Sequence, residues 1–264
     1  MDKLILGRYV PGNSIIHRLD PRAKLLAMIL YIIVVFWANS FLTSAILFIF
    51  TAIIVLISGV KLSFFINGIK PMIGIILFTT FFQVFFTTGG EILFHYGIIH
   101  ISTEGINQAI LIFMRFLFII LFSTILTLTT TPLNLADAVE SILKPLEKFR
   151  IPAHEIGLML SLSLRFVPTL MDDTIRIMNA QKSRGVDFGE GNFIQKIKSV
   201  IPILIPLFAS SFKRADALAI AMEARGYQGG EGRSKYRFLS WTITDSVAIF
   251  SMICLGIILF LLKN

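Results

Sequence analysis

Two short segments that end in Arg-Gly are the clearest candidates for a chemical role in this sequence. Residues 180–185 read Ala-Gln-Lys-Ser-Arg-Gly, and residues 221–226 read Ala-Met-Glu-Ala-Arg-Gly. In each segment a small residue, Ser183 or Ala224, precedes the arginine and a glycine follows it. Arginine presents five donors in a rigid fork that suits a carboxylate or a set of backbone carbonyls. The pair therefore predicts two arginine contacts with a partner.

Each segment, taken singly, also has a purely structural interpretation. Gly185 and Gly226 are placed to follow a helix end, where glycine adopts the left-handed conformation at low cost. Arg184 and Arg225 would then complement the helix dipole from the last turn. Two copies whose arginines are 41 residues apart weaken this interpretation. A charge-assisted contact is worth roughly 1.5–3 kcal/mol, and two such contacts imply a dimeric or pseudo-dimeric partner.

The other ionisable residues do not suggest a catalytic site. Arg115 lies within an apolar stretch, and we expect it to have a structural role, either pairing inside a helix bundle or reaching towards a glutamate in the preceding loop. Asp172 and Asp173 are expected to form a polar face or to pair with Arg176. The single cysteine, Cys254, excludes a cysteine-rich metal site. We therefore expect no catalytic residue and no metal site.

A nucleotide site is not expected either. The sequence contains no Gly-x-x-x-x-Gly-Lys-Ser/Thr phosphate-binding loop, so any ATP-derived energy must come from a partner. We expect no cofactor in this chain, with ATP bound by partner subunits.

Composition indicates the elements that must position the arginines. Of the 264 residues, 55% are hydrophobic and only 15% are charged, whereas soluble domains carry about 25% charged residues. This composition excludes a soluble globular protein and a disordered chain. We predict an all-α integral membrane protein, because the long uncharged runs lack the alternation of a barrel strand. Five spans are predicted at about 24–39, 42–59, 71–90, 106–130 and 246–262.

The distribution of lysine and arginine orients these spans. The N-terminal segment, the loop 60–70 and the stretch 132–240 carry positive charges, fifteen of them in the last, whereas the loops 39–41 and 89–105 carry none. The positive-inside rule then places the N-terminus and the long stretch in the cytoplasm of a multi-pass cell-membrane protein. The net charge of +8 follows from this bias and from attraction to the lipid bilayer, so nucleic-acid binding is not expected.

The stretch 132–240 predicts a module of three amphipathic helices at the membrane face. They cover 133–149, where Pro145 should end or kink the helix, then 153–184 and 193–225. A rival interpretation makes 199–212 a further span, but it would carry Arg225 across the membrane against the charge bias. The predicted organisation is listed in chain order: transmembrane helices 1–4 in 1–131, the coupling-helix module in 132–240 and a C-terminal transmembrane helix in 241–264.

These residues resemble the EcfT family, the transmembrane coupling components of energy-coupling factor (ECF) ABC transporters. The paired Ser183-Arg184-Gly185 and Ala224-Arg225-Gly226 look like the family's two Ala-Arg-Gly-type coupling motifs, with Ser183 in place of the commoner alanine. The leader 17–26, His-Arg-Leu-Asp-Pro-Arg-Ala-Lys-Leu-Leu, resembles the family's entry into its first span. Leu-Arg-Phe-Val-Pro at 164–168, followed by Ala180-Gln181, resembles the run-up to the first motif. The resemblance covers almost the whole chain.

The resemblance implies a non-catalytic coupling subunit with defined partners. Two ABC ATPase subunits, expected to form a heterodimer, would receive the helix ends through Arg184 and Arg225. A small membrane S-component would bind the vitamin and pack on the apolar surface of the long helices. These helices, crossed in an X, would transmit ATP-driven motion to the S-component.

Other functions remain open at this point. A dedicated cobalt, nickel or biotin module is not distinguished from a shared vitamin coupler by physical reasoning. An integral membrane enzyme would need clustered His, Asp or Ser chemistry at the membrane face, and no such cluster stands out in the sequence. A secondary transporter would need repeated spans and intramembrane binding residues, which are not apparent.

Overall fold

Helices dominate the chain, as its apolar composition predicts. The computed structural model describes residues 9–262 apart from 88, 97–98, 150–151, 187, 189–191 and 230–238. The helices are α1 Ile15–Arg18, α2 Pro21–Val35, α3 Phe41–Ser58, α4 Leu62–Ile69, α5 Ile73–Phe86, α6 Thr103–Thr129, α7 Pro132–Leu143, α8 Ala153–Ser183, α9 Phe193–Ala224 and α10 Ile243–Leu261. The strands are β1 Ile92–Tyr96 and β2 Ile99–Ser102. The prediction of an all-α membrane protein is confirmed.

The apolar helices account for most of the predicted spans. Three of them, α3, α6 and α10, are long and apolar enough to cross a bilayer. The predicted span 71–90 corresponds to the second half of a broken pair, α4 and α5, whose axes differ by 59°. Helix α2 has 15 residues, fewer than the roughly 20 that a full crossing needs. The number of spans therefore stays a prediction.

The predicted loop 89–105 contains a short hairpin. Strands β1 and β2 pair antiparallel, with Tyr96 opposite Ile99. Both strands are rich in isoleucine and aromatic residues, which favour extended structure. The strands are too short to give a periodic hydrophobic signal in the sequence, which predicts only a loop here.

The described chain divides into two compact units. One consists of the chain up to Ala138 together with the C-terminal segment from Arg237, and the other is Val139–Tyr236. The sequence predicts module boundaries at 131 and 240. The division into two units passes through α7 and does not test these boundaries.

In the first unit, Tyr31 joins three helices. It lies on α2, is fully buried, and stacks on Phe122 of α6 with ring centroids 4.2 Å apart. The hydroxyl groups of Tyr31 and Thr51 of α3 are 2.6 Å apart. The surrounding core is formed by apolar residues of α2, α3, α6 and α10. A buried tyrosine usually needs such a hydroxyl partner, and here the partner fixes α2 against α3.

The second unit contains the long helices of the predicted module. Helix α7 ends at Leu143, and the 3-10 turn Lys144–Phe149 follows, with Pro145 inside it. The predicted effect of Pro145 is therefore confirmed. Helices α8 and α9 begin at the predicted residues and end one residue before the predicted ends.

Candidate functional site

The two Arg-Gly segments lie at the C-terminal ends of the longest helices. Helix α8 runs for 31 residues and α9 for 32 residues. Both continue through internal prolines, which are Pro168 in α8 and Pro202 and Pro206 in α9. An internal proline removes a backbone donor and favours bending. Each helix thus carries its arginine at one end and a weakened turn in its interior.

Both helices end in the same hydrogen-bonded cap. At the first, Gly185 has φ of +86° and donates to the carbonyl of Lys182 at 3.0 Å, while Val186 donates to the carbonyl of Gln181 at 3.1 Å. The second cap repeats this pattern. Gly226 has φ of +70° and donates to the carbonyl of Glu223 at 2.8 Å, while Tyr227 donates to the carbonyl of Met222 at 3.0 Å. These are Schellman caps, which require a residue in the left-handed conformation.

The arginines in these caps have nearly identical backbones. Arg184 has φ −91° and ψ 8°, and Arg225 has φ −90° and ψ 9°. Both residues are exposed, and neither forms an ion pair with any described residue. No described atom lies within 4 Å of a Cβ built at either glycine. The glycines are therefore needed for their backbone conformation and not for a close approach of a neighbouring group. We call Ser183–Gly185 and Ala224–Gly226 the two tips.

An ion pair joins the two helices well behind the tips. Arg214 of α9 donates to the carboxylate of Asp173 of α8 at 2.7 Å, and its guanidinium carbon lies 5.8 Å from the Phe166 ring centroid. The side chains of Arg214 and Asp173 are only 27% and 17% exposed. The sequence favours a polar face or pairing with Arg176 for Asp173, whereas the structure gives Asp173 a partner on the other helix.

The contacts along the helices show that they are antiparallel. Phe166, early in α8, lies near Arg214, late in α9, whereas Gln181, late in α8, donates to the carbonyl of Pro202, early in α9. Asp173 and Arg214 each precede their own tip arginine by 11 residues, a rise of about 16 Å. The ion pair is therefore equally far from both tips, which point in opposite directions along the pair and lie up to about 33 Å apart.

Helix α7 supports the start of α8. His154 lies on α8, one turn before Gly157, and its Nδ1 is 3.3 Å from the carboxylate of Glu140 on α7. A Cβ built at Gly157 would lie 2.6 Å from the carboxyl carbon of Glu140. Glycine at this position therefore leaves room for the Glu140 side chain against the start of α8.

Arg115 contacts the end of a neighbouring helix. Its Nη2 donates to the carbonyl of Ala38 and to Oδ1 of Asn39, both at 3.2 Å. Its guanidinium carbon lies 5.2 Å from the Phe36 ring centroid. Carbonyls after a helix end lack intrahelical donors, so Arg115 supplies one from α6. This arrangement is consistent with pairing inside the bundle and not with a glutamate partner.

A buried charged cluster ties three segments of the first unit and was missed by the sequence analysis. The backbone N–H of Asp20 donates to Asp245 at 2.7 Å, and Asp245 also accepts from the N–H of Thr242 at 2.7 Å. Lys24 donates to the carbonyl of Thr129 at 2.9 Å. Asp245 is 0% exposed and Lys24 is 7% exposed. The leader 17–26 thus joins the start of α2 to the start of α10 and the end of α6.

No metal-binding cluster occurs in the described part of the chain. Among these residues, no group of three or more His, Cys, Asp or Glu side chains is placed to hold an ion.

Comparison with known proteins gives consistent matches over this whole arrangement. The family model described as "CbiQ: Cobalt transport protein" matches residues 12–236. The chain is similar to the "Energy-coupling factor transporter transmembrane protein EcfT" of Streptococcus equi subsp. equi, with 74% identity over all of this chain and 98% of that protein. The proteins of the same name from Streptococcus thermophilus and Bacillus subtilis are 68% and 50% identical, over 100% and 99% of their lengths.

Proposed function

This chain belongs to the CbiQ family and, within it, to the EcfT transmembrane components of energy-coupling factor transporters, and on that premise we propose how it works. It is the subunit that transmits the motion of two cytoplasmic ATPases to a small membrane S-component. The S-component, and not this chain, binds the transported vitamin or other micronutrient. The chain itself is non-catalytic, holds no cofactor and depends on ATP bound by its partners.

The paired tips are the observation that carries this proposal. Two helix ends with the same cap and the same arginine backbone suit two similar grooves, one on each subunit of an ATPase dimer. Each arginine can donate to a carboxylate or to carbonyls in its groove, a contact worth roughly 1.5–3 kcal/mol. Small residues before the arginines, Ser183 and Ala224, let the helix end enter such a groove closely. A separation of up to about 33 Å allows two subunits to be engaged at once.

The antiparallel helix pair supports transmission. The Asp173–Arg214 ion pair lies equally far from both tips, so displacements of the two tips act on a common point with equal lengths of helix. An ATPase dimer that closes on ATP binding would displace both tips together. The helices would then rotate about this point and move whatever is packed on their apolar surface.

An apolar face on α9 fits the proposed S-component. Four large exposed side chains recur along one face, at Ile201, Ile205, Phe208 and Phe212. Their spacing of four, three and four residues is that of a helical stripe. A membrane-embedded partner can cover such a surface without the desolvation of charges. Uptake of a bound vitamin would follow when this partner is tilted with the helices.

Copurification tests the partners. The tagged chain, extracted mildly from its native membrane, should bring two ABC ATPases and at least one small membrane protein. A metal-transport module, the alternative that the family description favours, would instead bring metal-binding partners. Recovery of the chain alone with a catalytic activity would refute the coupling function.

Charge reversal tests the tips. Arg184→Glu with Arg225→Glu should abolish ATPase copurification while membrane insertion is kept, because each lost contact weakens binding by roughly tenfold or more. A matched control reverses the same number of charges at exposed positions away from the tips, in Arg176→Glu with Lys213→Glu. If the tip variant still bound its ATPases, or if the control lost them equally, the proposed role of the two arginines would be wrong.

A further inference from the structure

Pro206 leaves a gap in the backbone hydrogen bonding of α9. In an α-helix the N–H of residue 206 would donate to the carbonyl of residue 202, but proline has no N–H. The carbonyl of Pro202 therefore lacks its intrahelical donor. The adjacent Ile203 is 8% exposed and is the most buried described side chain of α9. The unpaired carbonyl thus lies next to the most closely packed part of this helix.

Gln181 of α8 supplies the missing donor. Its side-chain Nε2 lies 3.4 Å from the carbonyl oxygen of Pro202. Its own backbone carbonyl accepts from the N–H groups of Arg184 and Val186, at 3.0 and 3.1 Å, in the cap of the first tip. One residue therefore belongs both to the proline-interrupted turn of α9 and to the cap that holds Arg184.

The second cap has no amide at the equivalent position. The residue three positions before Arg225 is Met222, whose side chain has no N–H or O–H to donate. The contact that Gln181 makes therefore has no counterpart at position 222. It joins the tip of α8 to the turn of α9 that bends most easily, because two prolines four residues apart remove two backbone donors there.

We propose that Gln181 is a positioning residue that transmits the displacement of the first tip to the Pro202–Pro206 turn of α9. This inference rests on the proposed function, since it takes the tips as the points where the ATPases act. When the first tip moves, the amide of Gln181 carries the Pro202 carbonyl with it, and α9 bends where its own hydrogen bonding is interrupted. Without the amide, α8 moves without bending α9, and ATP hydrolysis is less well coupled to transport.

A double-mutant cycle on the assembled transporter tests this inference. Proteoliposomes would hold the chain, its two ATPases and a riboflavin-binding S-component, with tritiated riboflavin as the probe. The readout is riboflavin taken up per ATP hydrolysed, together with the amount of complex that copurifies. Gln181→Met removes the amide and keeps the length of the side chain, and Pro206→Ala restores the N–H that the Pro202 carbonyl lacks. Asn179→Leu, which removes an exposed amide from the same helix, is the control.

The expected results separate coupling from folding. Gln181→Met should lower uptake per ATP about fivefold, the effect of one lost hydrogen bond, with the yield of complex unchanged and the control at the wild-type ratio. In the Pro206→Ala background, Gln181→Met should change the ratio less than about twofold, because the carbonyl then has its own donor. An unchanged ratio in Gln181→Met, a loss of complex in proportion to uptake, or an equal effect in both backgrounds would overturn the inference. Wild-type chain that failed to assemble with ATPases would instead refute the proposed function, and this inference with it.

Discussion

The ion pair between Asp173 and Arg214 should contribute measurably to the stability of the helix pair. Asp173→Asn and Arg214→Gln each remove one charge and keep the approximate shape of the side chain, and the double variant removes the pair. Nη2 of Arg214 lies 2.7 Å from Oδ2 of Asp173, and both side chains are more than two-thirds buried. Arg214 also lies over the Phe166 ring, which gives its guanidinium a second contact on α8.

The magnitude follows from this partial burial. Exposed ion pairs are worth about 0.2–1 kcal/mol, and hydrogen bonds to charged groups about 1.5–3 kcal/mol. We therefore expect a coupling free energy of about 1–2 kcal/mol between the two residues. The free energy of unfolding would be measured by helical circular dichroism during SDS titration of the protein in dodecylmaltoside micelles, for the wild type, both single variants and the double variant.

Adjacent exposed residues provide controls for the cycle. Asp172→Asn and Lys213→Gln make the same charge changes one position away, at residues that are exposed, and should change the unfolding free energy by less than about 0.5 kcal/mol. A coupling free energy below about 0.3 kcal/mol for Asp173 and Arg214 would refute the assignment of this pair as the fixed point of the two helices. An Asp172→Asn loss as large as that of Asp173→Asn would instead indicate a general charge effect along α8.

Three further predictions concern positions where the structure leaves little freedom. Gly226→Ala should destabilise the cap of α9 by about 1–2 kcal/mol, because φ at this position is +70°. Amide hydrogen exchange in the last turn of α9 should then become faster. Gly74→Ala is the control: its φ lies in the helical range, so this variant should not slow folding or lower helicity. Gly157→Leu should lower the thermal midpoint by displacing the Glu140 side chain of α7 from His154, since a Cβ there would lie 2.6 Å from the Glu140 carboxyl carbon; an unchanged midpoint would contradict this packing. Lys24→Met should cost about 1–3 kcal/mol, because it leaves the Thr129 carbonyl at the end of α6 without its ammonium donor. Lys61→Met, at an exposed position, should be near neutral in the same SDS titration.

The sequence was sufficient to predict the elements whose signals are local. Apolar runs predicted the membrane class, and the bounds of α8 and α9 were predicted to within one residue. The glycines after the two arginines predicted the helix ends, because a left-handed cap is specified by the residue that adopts it. Pro145 likewise determines the end of α7 through its own covalent geometry.

The sequence did not predict contacts between elements. Asp173 has a near neighbour, Arg176, on its own helix, yet its partner is Arg214, 41 residues away. Asp20 and Asp245 are 225 positions apart, and the sequence likewise gives no indication that the two meet. Such pairs depend on how helices are rotated and offset against each other, which is set by the packing of many side chains together.

The sequence by itself thus determined the class of the protein, the helix ends and the presence of two matched arginine tips. Tertiary structure decided what the tips are connected to. Only the antiparallel packing of α8 against α9 places Asp173 and Arg214 equally far from both tips. Only that packing brings Gln181 to the carbonyl that Pro206 leaves without a donor. The physical reason is that caps and prolines act within a few residues of the chain, whereas contacts between the tips and the opposite helix require α8 and α9 to pack in one particular register.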